Sequence, residues 1–136
     1  MNPVPDRGKA SGAGPARIWL VDDDEMSRYL HGLIVKRTLP GSEQRQFPSA
    51  EDAFNALQDP GSPRPDLIII DINMPSWDVW DFLAAVGREN LDLSGIRLCI
   101  LTSELKPDDH EEIARYGLLD SVFLKPLRED MLLQMA

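Results

Sequence analysis

Four polar clusters in the sequence carry side chains whose types suit one common chemistry. In chain order they are Asp22, Asp23 and Asp24; Asp71; Thr102 and Ser103; and Lys125 with Pro126. Adjacent carboxylates repel one another unless a divalent cation neutralises them, and oxygen ligands with retained waters are the ligands that Mg²⁺ prefers. A carboxylate can also attack phosphorus while a metal ion and a lysine balance the developing charge. If the clusters meet, they predict a Mg²⁺ site at which Asp71 is the candidate nucleophile toward a phosphoryl group.

Each polar cluster directly follows a short apolar run, which indicates that the clusters lie at strand ends. The runs 18–21, 67–70, 98–101 and 122–124 are continuously apolar, as strands covered on both faces of a parallel sheet must be. A weaker run at 45–47 is polar enough for a sheet edge, where part of the strand faces solvent. Ligands of open α/β sheets bind outside the carboxyl ends of the strands, so we expect the clusters to converge at that rim.

Helix-length amphipathic segments separate the runs and define the fold class. They are predicted at residues 25–38, 50–58 after the capping residue Ser49, 78–88, 107–116 ended by Gly117, and 127–136. The first has Met26, Leu30, Leu33 and Ile34 on one stripe, the pattern of a helix that buries one face. The alternation predicts an α/β, flavodoxin-like, doubly wound sheet of five parallel strands in the order 2-1-3-4-5, with helices on both faces.

Length, charge and cysteine content narrow the class of protein. The 136 residues fit one domain: the Pro-, Gly- and Ala-rich residues 1–16 are predicted to form a flexible N-terminal arm, and residues 17–136 the domain. A net charge of -9 repels nucleic acid. No apolar run approaches the roughly 20 residues that span a bilayer. The single cysteine, Cys99, lies in an apolar run, which predicts a buried thiol in a reducing compartment. We therefore expect a cytoplasmic protein with neither a nucleic-acid nor a membrane partner.

At the polar clusters the sequence resembles the receiver domain of two-component response regulators. The resemblance covers residues 17–136 and depends on four motifs in order, which are VDDD at 21–24, PDLIIIDINMP at 65–75, LTS at 101–103 and FLKP at 123–126. Such domains have the flavodoxin-like fold predicted above. The resemblance therefore agrees with the pattern of strands and helices.

The resemblance also implies site residues. It implies a Mg²⁺ site built from Asp22, Asp23, Asp71 and the backbone carbonyl of Asn73. Asp71 would accept the phosphoryl group, and Thr102 would bond a phosphoryl oxygen after activation. Lys125 would pair with the phosphate, and its peptide bond to Pro126 would be cis.

By the same resemblance the chain is a phosphorylation-dependent signalling switch and not an enzyme, although self-catalysed phosphorylation and dephosphorylation belong to the expectation. A histidine kinase or phosphotransfer protein would donate the phosphoryl group, and the modified domain would change its interaction surface near the fourth and fifth strands. The cognate kinase, the output domain or target protein, and dimerisation through that surface stay open.

Two positions depart from the family pattern and keep a second hypothesis open. Val79 stands where glycine is usual, and because valine disfavours positive φ, we expect the loop into the third helix to take a different path. Val122 stands where an aromatic that moves inward on activation is common, and Phe123 should face the other side of its strand. The second hypothesis is therefore a pseudo-receiver that binds partners without phosphorylation.

A third hypothesis is a haloacid-dehalogenase-like phosphatase. It depends on the D-x-D pattern formed by Asp22 and Asp24. That class needs a further acidic motif after the lysine, and only 11 residues follow Lys125 (126–136). The sequence therefore favours the switch over this enzyme.

Several residues have a structural interpretation instead of a functional one. Asp24 directly precedes a helical stripe and is predicted to cap the helix. His31 and His110 lie on predicted helices away from the rim and are interpreted as surface residues. Trp77 and Trp80 are interpreted as packing residues.

Overall fold

The computed structural model describes residues 14–136. Its strands are β1 (Arg17–Val21), β2 (Glu43–Phe47), β3 (Leu67–Ile70), β4 (Arg97–Thr102) and β5 (Val122–Leu124). Its helices are α1 (Glu25–Thr38), α2 (Ala50–Gln58), α3 (Val79–Arg88), α4 (Pro107–Arg115) and α5 (Glu129–Met135). Every predicted element is present, and a short 3₁₀ helix at Leu119–Ser121 is additional. The predicted arm of residues 1–16 falls, up to residue 13, outside the described residues.

The strands form one parallel sheet in the order β2-β1-β3-β4-β5, which confirms the predicted topology. β1 lies between β2 and β3, so that Leu20 pairs with both Gln46 and Ile69. The central strands β1, β3 and β4 are buried almost throughout, whereas β2 at the edge buries only Phe47. This difference explains why β2 was the weakest strand in the sequence.

Alternate side chains of the strands build a core on each face of the sheet, because successive residues of a strand point to opposite faces. One core joins Trp19, Ile68 and Ile100 to α2 and α3. The other joins Leu20, Ile69 and the fully buried Cys99 to α1 and α5. The prediction of helices on both faces and of a buried thiol is therefore confirmed.

The helices begin at side chains that bind their free N–H groups. The carboxylate of Asp24 accepts from the backbone N–H groups of Met26 and Ser27 at 3.0 and 3.4 Å, and the Ser49 hydroxyl accepts from that of Asp52 at 3.1 Å. Both predicted N-caps are confirmed.

The face that α1 buries differs from the predicted one. Met26, Leu30 and Leu33 are 47–62% exposed, and the helix buries His31, Gly32 and Val35 instead. The interpretation of His31 as a surface residue is therefore wrong, whereas His110 on α4 is exposed as predicted.

Polar side chains on β2 explain why α1 is turned this way. The amides of Gln44 and Gln46 donate to the backbone carbonyls of Gly32 and Arg28 on α1, at 2.9 and 3.3 Å. A Cβ at Gly32 would lie 2.6 Å from Nε2 of Gln46. The absence of a side chain at Gly32 therefore lets the polar edge strand bond directly to the helix. Met26, Leu30 and Leu33 are left on the outer side, whereas Ile34 packs on the core as predicted.

The edge of the sheet formed by the amino ends of the strands holds both ends of the described chain. The Asp66 carboxylate accepts from two backbone N–H groups at the start of β1, at 2.8 and 2.9 Å. The Arg97 guanidinium donates to the last two carbonyls of α5, at 2.6 and 2.8 Å. As a result, a Cβ at Gly14 would lie 3.8 Å from Cβ of Ala136.

None of the helices in the described part of the chain combines the length and apolar composition that a bilayer-crossing segment needs.

Candidate functional site

The rim at the carboxyl ends of the strands gathers the predicted site residues. β1 ends directly before Asp22, β3 before Asp71 and β5 before Lys125, while Thr102 is the last residue of β4. The sheet ladder continues past the strand ends, since the N–H of Asp71 donates to the carbonyl of Val21 at 3.1 Å and the N–H of Lys125 to that of Thr102 at 2.8 Å. The backbone of Asp71 and Lys125 is therefore tied to the neighbouring strands.

Lys125 bridges the two buried carboxylates of the site. Its Nζ lies 2.6 Å from Oδ2 of Asp22 and 3.0 Å from Oδ2 of Asp71. The side chains of both aspartates are 8% exposed and that of Lys125 is 18% exposed. Burial lowers the pKa of Lys125, but its hydrogen bonds to the two carboxylates outweigh burial and raise that pKa above its ordinary value. The lysine is therefore held charged, and its charge is shared by two anions.

Three carboxylates at the rim form a cluster that could hold a cation. Asp22, Asp23 and Asp71 each place an oxygen within 4.8 Å of the others. Asp23 is exposed while its two neighbours are buried, so an ion bound there would be in contact with water on one side. All three ligands are hard oxygens, and Mg²⁺ takes such a set while it retains several waters. The donor set therefore fits the predicted metal.

Asn73 and Thr102 connect the loops that follow β3 and β4. The backbone N–H of Asn73 donates to Oδ1 of Asp71 at 3.2 Å, and its side-chain amide donates to the hydroxyl of Thr102 at 3.4 Å. Thr102 is fully buried and donates its own proton to the carbonyl of Glu104 at 3.2 Å. Asn73 thus contacts Asp71 through its backbone and Thr102 through its side chain, while the metal and phosphoryl roles of these two residues stay predictions.

The sequence patterns did not identify two residues that contact the site or lie beside it. The Arg28 guanidinium donates to the backbone carbonyl of Asp22 at 2.6 Å. His31 is buried beside a small cavity that Asp22 and Asp71 also line. Burial, followed by the charge of Lys125, lowers the pKa of His31 below its ordinary value of 6.5. Neither residue was identified, because the sequence predicted the wrong buried face for α1. A helical pattern does not show which side of an apolar stripe packs against the sheet.

The loop into α3 accommodates valine at the position where the family usually has glycine. Val79 is the first residue of α3, is fully buried and does not adopt a positive φ. The helix is started by Asp78 and Asp81, each of which accepts from the backbone N–H of the other at 2.9 and 3.0 Å. Burial, together with the charge of Asp81, raises the pKa of Asp78 above its ordinary value. This reciprocal cap fixes the start of α3 without glycine.

Val122 and Phe123 lie on opposite faces of β5, as predicted. Val122 packs on the core that contains Ile100, and Phe123 packs on the core that contains Leu20. The peptide bond between Lys125 and Pro126 is cis. Phe123 therefore does not replace the usual aromatic, because it faces the other core. The lysine motif has the cis peptide bond that the resemblance implied.

An apolar groove of about 800 Å³ leads from the rim along the outer side of α1. Among its lining residues are Met26, Leu30 and Leu33 on one side and Lys125, Pro126 and Leu127 on the other. The stripe that was predicted to face the core thus forms part of a surface that is continuous with the site.

The Trp77 ring packs 5.5 Å from Phe54, and Trp80 packs on the same core. The indole Nε1 of Trp80 also donates to Oδ1 of the buried Asp109 at 2.9 Å. Both tryptophans are packing residues as predicted, and Trp80 has a polar contact in addition.

Comparison with known proteins agrees with the fold. Residues 18–136 match the family described as the response regulator receiver domain. Response regulator Rcp1 of Synechocystis is 32% identical over 118 residues, which cover 84% of this chain and 78% of that protein. Transcriptional regulatory protein PrrA of Mycobacterium leprae is 31% identical over 116 residues, or 85% of this chain but 46% of that protein.

Solved structures agree with the architecture. The crystal structure of a two component response regulator from Cytophaga hutchinsonii matches with a TM-score of 0.77 and 26% identity, over 88% of this chain and 92% of that one. The family match over residues 18–136, the strand order and the coverage of Rcp1 lead to one conclusion: the chain belongs to the receiver domain family of two-component response regulators.

Proposed function

We propose that residues 17–136 act as one receiver domain that accepts a phosphoryl group on Asp71, with Mg²⁺, from a histidine kinase or phosphotransfer protein. The observation that carries this proposal is the position of Lys125, whose ammonium lies 3.0 Å from Asp71 and 2.6 Å from Asp22 at the edge of a three-carboxylate cluster. Oδ2 of Asp71 is held by the Lys125 ammonium and Oδ1 by a backbone N–H, so the carboxylate is positioned to attack phosphorus beside a cation that can balance the developing charge.

The metal would be held by the carboxylates of Asp22, Asp23 and Asp71 and by the backbone carbonyl of Asn73. Bound Mg²⁺ supplies positive charge that offsets the negative charge of the transferring phosphoryl group. The residues of the chain do the remaining work. Arg28 holds the backbone of Asp22 in place, and Asn73 orients Asp71 through its N–H.

In the transfer step, a carboxylate oxygen of Asp71 forms a bond to phosphorus. The phosphorus–nitrogen bond of the donor phosphohistidine breaks at the same time, and the imidazole leaves with the electron pair. The Lys125 ammonium already contacts Oδ2 of Asp71, so it can follow the negative charge onto the phosphoryl oxygens without a large movement. The buried hydroxyl of Thr102 is the second donor for those oxygens.

The product would differ from the starting domain at the loop after β4. Thr102 has one hydroxyl proton, which now goes to the carbonyl of Glu104. If the hydroxyl donates to the phosphoryl group instead, the carbonyl of Glu104 loses its hydrogen bond and the loop 103–106 changes its path. The changed surface would be recognised by an output domain or target protein, or by a second copy of the domain.

The donor protein would dock on the groove along α1. Asp71 lies at the rim, and the groove lined by Met26, Leu30 and Leu33 reaches that rim at Lys125. Apolar residues that are 47–62% exposed beside a reactive centre suit a protein partner that must bring its histidine to Asp71.

One observation favours a second candidate, a pseudo-receiver that binds partners without phosphorylation. Val122 offers no aromatic ring that could move when Thr102 moves. The metal and the phosphoryl group would then be dispensable for binding.

Intact-mass spectrometry separates the two candidates. We expect incubation with acetyl phosphate and Mg²⁺ to add the mass of one phosphoryl group to the wild-type chain. The gain should disappear in Asp71→Asn and without metal, while Asp120→Asn, an exposed aspartate remote from the cluster, keeps it. No gain in a folded wild-type chain would exclude the switch and leave the pseudo-receiver.

We also propose a cytoplasmic location. The fully buried free thiol of Cys99 and a phosphoryl donor that works inside the cell both suit a reducing compartment.

A further inference from the structure

The carboxylate of Asp109 is buried outside the phosphoacceptor site. Asp109 is 5% exposed and lies in the first turn of α4. Its Oδ1 accepts from the indole Nε1 of Trp80 at 2.9 Å, and its Oδ2 accepts from the backbone N–H of Lys106 at 2.8 Å. The buried charge is therefore stabilised by two N–H donors and by the positive end of the helix dipole.

These contacts connect the two loops that flank Asp71. The loop 72–78 leads from Asp71 to Trp80 on α3, and the loop 103–106 leads from Thr102 to Asp109 on α4. Near the site the loops are joined by Asn73 and Thr102, whose side chains are 3.4 Å apart. Far from the site they are joined by Trp80 and Asp109. The two loops thus form a closed ring of contacts around one side of the site.

The helix α4 depends strongly on Trp80 for its position. Within the described chain, α4 buries only Asp109 and Ile113. The Trp80 side chain contacts both ends of the helix, since its N–H bonds to Asp109 and its ring stacks on Tyr116 just past the last turn, with centroids 5.9 Å apart and 11° between planes. A helix with so few buried residues moves at low cost once such a contact opens.

The hydroxyl of Thr102 provides the connection to the phosphorylation state. It holds the start of the loop 103–106 through the carbonyl of Glu104, while Asp109 holds the end of that loop through the N–H of Lys106. If Thr102 turns to a phosphoryl group, the start of the loop is no longer held, and a new path of the loop moves Lys106 relative to Asp109. The usual aromatic partner is absent at Val122, and the loop 103–106 connects Thr102 to α4 without one.

From these contacts we infer that the hydrogen bond between Trp80 and Asp109 is a latch on α4, closed when Asp71 is free and opened when Asp71 carries a phosphoryl group. This inference depends on the proposed function. Because the closed latch stabilises the unphosphorylated arrangement, it lowers the affinity of the site for a phosphoryl mimic. Loss of the bond should raise that affinity.

The test measures binding of beryllofluoride with Mg²⁺ by calorimetry. We expect Trp80→Phe to bind about tenfold more tightly than the wild-type chain, since a hydrogen bond to a buried charge contributes at least that factor. Trp77→Phe, which removes a neighbouring indole without this bond, should match the wild type. Asp109→Asn removes the charge but keeps one acceptor oxygen, so its affinity should lie between those of the wild type and Trp80→Phe. Hydrogen exchange of residues 103–112 in unliganded Trp80→Phe should rise toward that of the liganded wild type.

The outcomes separate failure of the latch from failure of the proposed function. Equal or weaker binding by Trp80→Phe, with cooperative unfolding retained, overturns the latch but leaves the switch intact. If Trp80→Phe does not fold, an unchanged affinity of Asp109→Asn overturns the latch in the same way. If the wild-type chain takes up neither beryllofluoride nor the phosphoryl group of acetyl phosphate, the proposed function fails, and the latch fails with it.

Discussion

Replacement of Lys125 by methionine tests the electrostatics on which the candidate site depends. Methionine keeps most of the apolar stem and removes the ammonium that lies 2.6 Å from Asp22 and 3.0 Å from Asp71. Two buried carboxylates would then face each other without a counter-charge. We expect the free energy of unfolding to fall and Mg²⁺ to recover a large part of the loss.

The magnitude follows from the burial of the group. At separations of 2.6 and 3.0 Å, each ammonium–carboxylate attraction is worth about 6 kcal/mol at an effective dielectric of 20, before desolvation is subtracted. Removal of one partner from a buried pair typically costs about 3–5 kcal/mol. Because Lys125 keeps 18% of its side-chain exposure and Asp23 is exposed, water screens part of the repulsion. We therefore expect a loss of about 2–4 kcal/mol without metal.

The assay is urea unfolding of wild type and Lys125→Met followed by far-UV circular dichroism, with chelator and with excess Mg²⁺. Lysine and metal neutralise the same carboxylates, so Mg²⁺ should stabilise the variant more than it stabilises the wild type. Lys36→Met, which removes an exposed lysine from α1, is the matched control and should change neither quantity. A loss below about 1 kcal/mol, or equal stabilisation of both proteins by Mg²⁺, would refute the view that Lys125 compensates the carboxylate pair.

Two further predictions concern the supporting structure. Asp24→Ala removes the acceptor for the N–H groups of Met26 and Ser27 and should lower the free energy of unfolding, measured in urea, by about 1 kcal/mol. Asp24→Ser should keep most of that stability, because serine also caps helices. An Ala variant as stable as the wild type would contradict the cap. The pKa of His31 is lower in the folded protein than its ordinary value of 6.5. As the pH falls below 6.5, His31 therefore binds a proton more readily in the unfolded chain than in the folded one, and the free energy of unfolding should fall. His31→Leu should flatten this dependence and His110→Gln, on the exposed side of α4, should not; equal pH profiles for wild type and His31→Leu would exclude the effect.

The order of the strands and the convergence of the site residues could be predicted because both follow from short-range patterns. Continuous apolar runs indicate buried parallel strands, and the residue after each run lies at the rim. Asp22, Asp71 and Lys125 meet for this reason, although 103 residues separate the first from the last.

The orientation of α1 could not be predicted, because it depends on partners far away in the chain. Hydropathy favours burial of Met26 and Leu30, but Gln44 and Gln46 on β2 bond to carbonyls of the helix and set its rotation. A periodicity argument considers one helix at a time, and it cannot show that a polar strand will form its neighbour.

The contact between Trp80 and Asp109 was also invisible in the sequence. A tryptophan on one amphipathic helix and an aspartate in the first turn of another each have a sufficient local explanation, in packing and in the helix dipole. Only the packing of α3 beside α4 brings the indole N–H to 2.9 Å from the carboxylate.

The meeting of residues 14 and 136 at the amino edge of the sheet has a consequence for how the domain can be combined with others. Asp66 and Arg97 anchor both ends there, on the side of the sheet opposite the carboxylate cluster. A tag, a dye or a whole additional domain joined directly at residue 14 or residue 136 would therefore start on the side of the sheet away from the reactive rim. Such a layout makes the domain a portable module, since the attachment points and the reactive centre do not compete for the same surface.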